Sequence, residues 1–230
     1  LKAKPDTVVV MVAGSPVEMG AWLSRAKALV WNWYAGMEGG KALAEVLFGK
    51  VNPSGRLPES FPFSHMDCPA HCIGEFPGGK TVAYREGIFV GYRYYETRQM
   101  PVAFPFGYGL SYTEFTYERL KARVKGNGNG AKVQVTLGVV NTGAMKGKEV
   151  VQLYVGRKNS GEDRPIRELK AFDKISLKPG EIKNLEFMLD MEAFSYYDEK
   201  EKEFRVEKGA YIISVCRSAH EVWMETEVEL

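Results

Sequence analysis

The pattern of hydrophobic and polar positions changes near residue 113. Before that point, apolar residues form continuous runs over residues 7–13 and 28–33. Such runs predict strands that are buried on both faces, as in parallel sheets. Residues 42–47 place apolar side chains at helical spacing, and Gly49 follows where a left-handed helix end is expected. A short helix is also expected within residues 22–27. The order strand, helix, strand, helix predicts a mainly parallel sheet with flanking helices.

After residue 113, apolar and polar residues alternate with the period of a half-buried strand. Alternating runs occupy residues 132–139, 151–155, 185–189, 211–215 and 222–230. Glycine-, asparagine- and proline-rich turns separate them. About seven short strands with regular turns are typical of an antiparallel β-sandwich. We therefore expect two domains, residues 1–112 and 113–230, and no helix as a main feature beyond Lys132.

Composition narrows the classes of function. Lys plus Arg total 31 and Asp plus Glu total 29, so the charge balance gives no reason to expect nucleic acid or an anionic membrane as partner. No apolar run approaches the roughly 18 residues of a membrane span. Three cysteines, an odd number, argue against a disulfide framework. A cytoplasmic protein is favoured, with a secreted or periplasmic one as the alternative. The absence of an initiator Met favours a chain that was cut from a longer protein.

His65, Cys68, His71 and Cys72 crowd within eight residues of an otherwise irregular stretch, residues 63–82. Their types and spacing could bind zinc. A structural zinc site would typically bring a second pair of ligands from further along the chain, and the sequence offers none. We therefore expect no metal here, and nothing else in the sequence indicates a cofactor.

Two further features could belong to a ligand site. The turn at residues 14–16 follows a predicted buried strand, where α/β sheets place ligand crevices, although an ordinary turn is the more frequent case. Aromatic residues are dense over residues 84–95 and could stack on sugar rings. Core or interface packing is the more frequent role of such residues, and we favour it. Arg93, among these rings, is expected to pair with a carboxylate.

Several sequence blocks carry a resemblance to a known family. Residues 33–40 read Trp-Tyr-Ala-Gly-Met-Glu-Gly-Gly, residues 47–58 read Leu-Phe-Gly-Lys-Val-Asn-Pro-Ser-Gly-Arg-Leu-Pro, and residues 104–113 read Phe-Pro-Phe-Gly-Tyr-Gly-Leu-Ser-Tyr-Thr. With residues 14–19 and 84–95, these blocks resemble glycoside hydrolase family 3, in its β-glucosidase and β-xylosidase branch. Residues 141–155 and 164–181 are similar to the fibronectin type III-like domain that closes many members of that family.

The resemblance implies an α/β domain followed by an all-β fibronectin type III-like sandwich, both from the C-terminal part of a retaining β-glycosidase. It also implies that the (β/α)8 barrel with the nucleophilic Asp, and the segment with the acid/base Glu, lie outside this chain. Glu18, Glu38 and Glu86 fall within matched blocks, but none matches a catalytic position. They are expected to anchor turns and to pair with Arg or backbone N–H groups.

This implied function has two consequences. The chain alone is expected not to hydrolyse β-glucosides or β-xylosides, because retaining hydrolysis needs two carboxyl groups. A domain that docks on a barrel is also expected to expose an apolar or aromatic patch. The candidates are Trp22, Trp31, Trp33, Tyr34 and Tyr92. The alternative function is a stand-alone module that binds carbohydrate or protein.

Overall fold

A computed structural model describes residues 1–74 and 76–230, apart from the side chain of residue 129. The fold is mostly sheet with few helices. Its strands are β1 (Val8–Met11), β2 (Ala28–Trp31), β3 (Phe61–Pro62), β4 (Val102–Phe104), β5 (Phe115–Lys125), β6 (Lys132–Asn141), β7 (Gly147–Arg157), β8 (Glu168–Leu177), β9 (Ile182–Asp190), β10 (Ser195–Asp198), β11 (Glu203–Val206), β12 (Ala210–Cys216) and β13 (Val222–Glu229). Its α-helices are α1 (Gly39–Leu47), α2 (Pro69–Cys72) and α3 (Tyr92–Thr97).

Two antiparallel sheets form the C-terminal sandwich. One has the strand order β5-β6-β9, and the other has the order β13-β12-β7-β8. The alternating runs predicted from sequence correspond to β6, β7, β9, β12 and β13. The short hairpin of β10 and β11 adds a further antiparallel pair. The prediction of an all-β sandwich in the C-terminal part of the chain is confirmed.

The largest core lies between these two sheets. Alternate residues of β6, from Val133 to Val139, point inward and are almost fully buried. They pack with Val151, Leu153 and Ile213 of the opposite sheet. Each fully buried side chain of this size contributes about 1.5–3 kcal/mol relative to exposure. The inward-facing side chains of this period-2 pattern therefore stabilise the packing of the two sheets.

The N-terminal part differs from its prediction in how deeply its strands are buried. Strands β1 and β2 pair in parallel with Val8 opposite Ala28, as expected. Both strands are only half-buried, and Val12 beyond β1 is 61% exposed. The expected burial on both faces is wrong for the described residues, because the elements packed on these two strands leave their side chains partly exposed. Strands β3 and β4 form a second, antiparallel pair.

Helix α1 forms where the helical spacing predicted it, and Gly49 closes it at φ +71°, in the left-handed region. The stretch predicted to be irregular contains the single-turn helix α2, in which Pro69 occupies the first turn. A three-residue 3₁₀ turn, Leu23–Arg25, stands where a short helix was expected. None of the helices in the described part of the chain is long and apolar enough to cross a membrane.

Candidate functional site: a carboxylate cleft and the joint between the two parts

Glu18 lies in the loop after β1 and is bonded to a second loop. Its Oε1 accepts hydrogen bonds from the hydroxyl of Ser64 and the backbone N–H of His65, both at 2.8 Å, and lies 2.6 Å from Nδ1 of His65. The backbone hydrogen bond from His65 is the largest cause that lowers the pKa of Glu18 from 4.5 to about 2. Glu18 therefore carries a stable negative charge that anchors the loop at Ser64 and His65. This is the turn-anchoring role predicted for it.

A second carboxyl group, Glu59, lines the same cleft, which has a volume of about 320 Å³. The walls are Pro16, Val17, Glu18, Glu59, Ser60, Pro62, His65, Cys68, Pro69, Gly91 and Tyr95. Burial raises the pKa of Glu59, whereas hydrogen bonds lower that of Glu18. Carboxyl groups with pKa values moved apart are typical of acid–base pairs. Here the charged partner is instead bonded to protein groups, which fits an anchoring role.

The four residues of the zinc pattern do not face a common centre. His65 bonds to Glu18, and the ring of His71 packs edge-on against His65 and Phe76. Cys68 contacts the hydroxyl of Tyr95. Across the described residues, no group of three or more His, Cys, Asp or Glu side chains is arranged to hold a metal ion. The absence of a bound metal stays a prediction.

The other two carboxylates of the matched blocks have different surroundings. Glu38 precedes α1 at its N-cap position, and its side chain makes no capping hydrogen bond there. Glu86 is half-buried, and its Oε2 has no hydrogen-bond partner among the described residues. The anchoring role predicted from sequence is therefore found for Glu18. Among the described residues, it is not found for the Glu38 side chain at the N-cap or for Oε2 of Glu86. Arg93 does pair with a carboxylate, because its Nε lies 3.0 Å from Oε1 of Glu168.

The five docking candidates fall into two groups. Tyr34 is 78% exposed, and Trp22, Trp31 and Trp33 are half-buried. Trp31 and Trp33 pack edge-on against each other and against Phe61.

Tyr92 belongs to the second group, since it faces the sandwich rather than a free surface. Its ring stacks on Phe106 at 4.8 Å and meets Tyr154 edge-on. Its hydroxyl accepts a hydrogen bond from the N–H of Leu169. The packing role that we favoured for the aromatic stretch at residues 84–95 is found at this residue.

The loop after β2 exposes more apolar surface than the sequence candidates indicated. Met37 is fully exposed, at 100%, and lies three residues from Tyr34. A Cβ atom on Gly14 would lie 2.6 Å from the ring of Tyr34, so the loops after β1 and β2 touch each other. Because β1 and β2 are parallel, both loops lie at the same edge of the pair. Sequence reasoning missed Met37, although it stands within the matched block at residues 33–40.

A buried ion pair joins the N-terminal part to the sandwich. Nη2 of Arg56, in the turn after α1, lies 2.6 Å from Oε2 of Glu149 on β7. The hydroxyl of Tyr117 on β5 donates to Oε1 of Glu149, also at 2.6 Å. The Arg56 side chain is 11% exposed and that of Glu149 is 3% exposed. This ion pair thus connects the matched turn at residues 52–58 to strand β7 of the sandwich.

Polar contacts extend this joint on both sides. The side-chain amide of Gln152 donates to the carbonyl oxygens of Gly107 and Arg217. Arg167 pairs with Glu96 of α3 at 3.0 Å, and both side chains are largely buried. These residues were not predicted from sequence, because their partners are 45 to 71 positions away along the chain.

Comparison with known proteins identifies both parts of the chain. Residues 1–112 match the glycosyl hydrolase family 3 C-terminal domain. Residues 149–219 match the fibronectin type III-like domain. The matches follow each other in the order that the sequence blocks indicated.

Individual relatives match along the whole chain. Thermostable beta-glucosidase B of Acetivibrio thermocellus is 43% identical over 230 residues, which is 100% of this chain and 30% of that protein. The crystal structure of beta-glucosidase from Kluyveromyces marxianus in complex with glucose has a TM-score of 0.93 and 44% identity, covering 100% of this chain and 27% of that one. Beta-glucosidase 3B from Thermotoga neapolitana in complex with glucose has a TM-score of 0.88 and 36% identity, covering 96% and 31%.

The chain spans about 30% of the length of the curated relatives it matches. Those relatives are beta-glucosidases by name, and the match to them includes both parts of the fold. The chain therefore belongs to glycoside hydrolase family 3, of which it carries the C-terminal domain and the fibronectin type III-like domain.

Proposed function

We propose that this chain works as the C-terminal part of a retaining β-glucosidase that hydrolyses terminal, non-reducing β-linked sugars. The observation that carries the proposal is the match of 40–43% identity to beta-glucosidases along the whole chain, over about 30% of their length. The remaining 70% of those proteins has no counterpart in these 230 residues. In the proposal, a (β/α)8 barrel of the same protein supplies the nucleophile, and a further segment supplies the acid/base.

The surroundings of the carboxylates support this assignment of roles. Retaining hydrolysis places two carboxyl groups about 5–5.5 Å apart on opposite sides of the anomeric carbon. Among the described residues, one oxygen of Glu18 accepts the hydrogen bonds from Ser64 and His65, and Glu18 thereby acts as a loop anchor. The chain contributes the frame of the site rather than its reacting groups. The proposed location is the cytoplasm, and no cofactor takes part.

In this proposal, the exposed edge of the β1–β2 pair is the surface that contacts the rest of the parent protein. Tyr34 and Met37 follow β2 and are exposed there, and Val12 follows β1. Exposed apolar surface of this kind marks interaction sites. We assign β1 and β2 to a larger, mainly parallel sheet with flanking helices that is completed by other residues of the parent protein. The domain division at residues 112 and 113 belongs to the same proposal.

A stand-alone carbohydrate-binding module is the second candidate. Its support is the exposure of Tyr34 and Tyr84, whose rings could stack on sugar faces. Equilibrium dialysis of the isolated chain against glucose and cellobiose separates the two candidates. Saturable binding that is lost in Tyr34→Ser or Tyr84→Ser would favour the module, whereas the enzyme proposal expects none.

Covalent trapping tests the enzyme proposal. A fluorinated glucoside that stalls the glycosyl-enzyme intermediate is reacted with the longer gene product, and the labelled peptide is found by mass spectrometry. The label is expected on a carboxylate outside these 230 residues. A label on Glu18 or Glu59 would overturn the proposal and place the nucleophile in the cleft described above.

A further inference from the structure

The N-terminal part covers only some of the outer face of the four-stranded sheet. The side-chain amide of Gln152 on β7 donates to the carbonyl oxygen of Gly107. A Cβ atom on Gly109 would lie 2.9 Å from Nη1 of Arg56, whose guanidinium pairs with Glu149, also on β7. This segment of the N-terminal part therefore follows β7. Strand β8, on the other side of β7 from β12, is the edge strand of the sheet.

Strand β8 presents an aromatic and a basic side chain beside this contact. Phe172 lies directly opposite Gln152 in the register of β7 and β8, so both side chains point to the same face of the sheet. Lys174 lies opposite Val150, and Lys148 precedes Val150 by two positions, so both lysines share that face. Phe172 is 67% exposed, whereas Gln152 is buried. We call Phe172, Lys174 and Lys148 the β8 patch, and it is continuous with the joint between the two parts.

The two lysines of the β8 patch have no carboxylate partner. Among the described residues, neither Lys148 nor Lys174 takes part in an ion pair or a side-chain hydrogen bond. By contrast, Lys158 and Lys170 each lie within 3.2 Å of a glutamate oxygen. Burial, together with the positive charges of Lys148 and Arg56, lowers the pKa of Lys174. A carboxylate placed against the patch would offset this repulsion.

We propose that the β8 patch is a second docking surface, which binds a segment of the parent protein that carries a carboxylate beside an apolar side chain. This inference rests on the proposed function, in which about 70% of the protein lies outside these 230 residues. The apolar side chain covers the ring of Phe172, and the carboxylate accepts hydrogen bonds from Lys148 and Lys174. A two-fold contact of two copies centred on this patch would bring its lysines against the same lysines, which repel. The charges therefore favour the parent segment over a second copy.

Amine labelling tests whether the patch is covered. The longer gene product and the 230-residue chain are each treated with an acetylating reagent, and the labelled lysines are quantified by peptide mass spectrometry. Lys148 and Lys174 should react about tenfold more slowly in the longer product, since each ~1.4 kcal/mol needed to uncover them slows the reaction tenfold. Lys125 and Lys132 are the matched controls, because they form an exposed cross-strand pair on the outer face of the other sheet. They should react at the same rate in both proteins.

Carbodiimide cross-linking of the longer product identifies the partner group. The reagent joins an amine to a carboxylate that it contacts, with loss of one water. Peptides that join Lys148 or Lys174 to an Asp or Glu outside these 230 residues are expected. Phe172→Ser should abolish the protection of both lysines in the longer product and leave the labelling of the 230-residue chain unchanged, because the Phe172 side chain is exposed there. Lys132→Glu should leave the protection intact.

Several results would overturn the docking proposal. They are equal labelling of Lys148 and Lys174 in the two proteins, cross-links confined to these 230 residues, and protection that survives Phe172→Ser. Protection of the 230-residue chain that grows with its concentration would also overturn it, because the occupant would then be a second copy. The proposed function fails separately, by a trapped sugar on Glu18 or Glu59. A trapped sugar outside the chain with unprotected lysines would overturn the docking proposal alone.

Discussion

Replacing Glu149 with alanine should destabilise the protein by about 3–5 kcal/mol, the usual cost of removing one partner of a buried ion pair. The side chain of Glu149 is 3% exposed, and its two oxygens each have a partner at 2.6 Å. After the substitution, the guanidinium of Arg56 and the hydroxyl of Tyr117 lose the group that offsets their desolvation. For a chain of this size each kcal/mol lowers the Tm by about 2–4 °C, so the fall should be roughly 6–20 °C.

The assay is urea unfolding of the 230-residue chain, followed by tryptophan fluorescence and by circular dichroism. Glu227→Ala is the matched control, because Glu227 pairs with Lys158 at 2.8 Å and both side chains are exposed. Exposed pairs contribute about 0–1 kcal/mol, so this variant should stay close to the wild type. The double substitution of Arg56 by Met and Glu149 by Leu should regain much of the loss, because no buried charge is left unpaired.

Two outcomes would refute the reasoning. If Glu149→Ala lost no more stability than Glu227→Ala, the joint would not be desolvated as described. If the double variant were as unstable as the single one, the unpaired charge would not be the cause of the loss. In either case the contact between the N-terminal part and the sandwich would need another explanation.

Three further predictions concern the cleft, the close contact of Gly109 with Gly55, and helix α1. The charge of Glu18 contributes its full stabilisation above the ordinary pKa of 4.5, and this contribution is lost as the pH falls to about 2. The difference in Tm between wild type and Glu18→Gln should therefore shrink over that range. A difference in Tm that does not depend on pH would contradict this prediction. A side chain at Gly109 would overlap the carbonyl oxygen of Gly55, so Gly109→Ala should cost about 1–3 kcal/mol in urea unfolding. Gly40→Ala in α1 meets open space and should instead stabilise by about 0.5–1 kcal/mol, and equal effects of the two would contradict the packing.

Local patterns were sufficient to predict much of the fold. Helix α1 and its left-handed end at Gly49 follow from residues that are neighbours in sequence. The strands of the sandwich follow from period-2 alternation, since one face of each strand meets the core. Strands β5 and β8 were missed, because their patterns are less regular and much of each strand is exposed.

The depth of burial and the joint could not be predicted in the same way. A continuous apolar run indicates a buried strand only if other elements cover both faces, and among the described residues β1 and β2 stay partly exposed. The pair of Arg56 and Glu149 joins residues 93 positions apart, and no spacing rule connects them. Glu18 was placed within a motif by resemblance, but its bonds to the loop at His65 required the three-dimensional arrangement.

Hydrolysis of nitrophenyl β-glucoside, measured side by side for this 230-residue chain and for the longer gene product, tests the central claim most directly. The account predicts turnover by the longer product and none by the chain alone, because the proposal places both carboxyl groups of the reaction outside these residues. Turnover by the chain alone that persists through purification, and is lost in Glu18→Gln or Glu59→Gln, would contradict the account and make the cleft an active site.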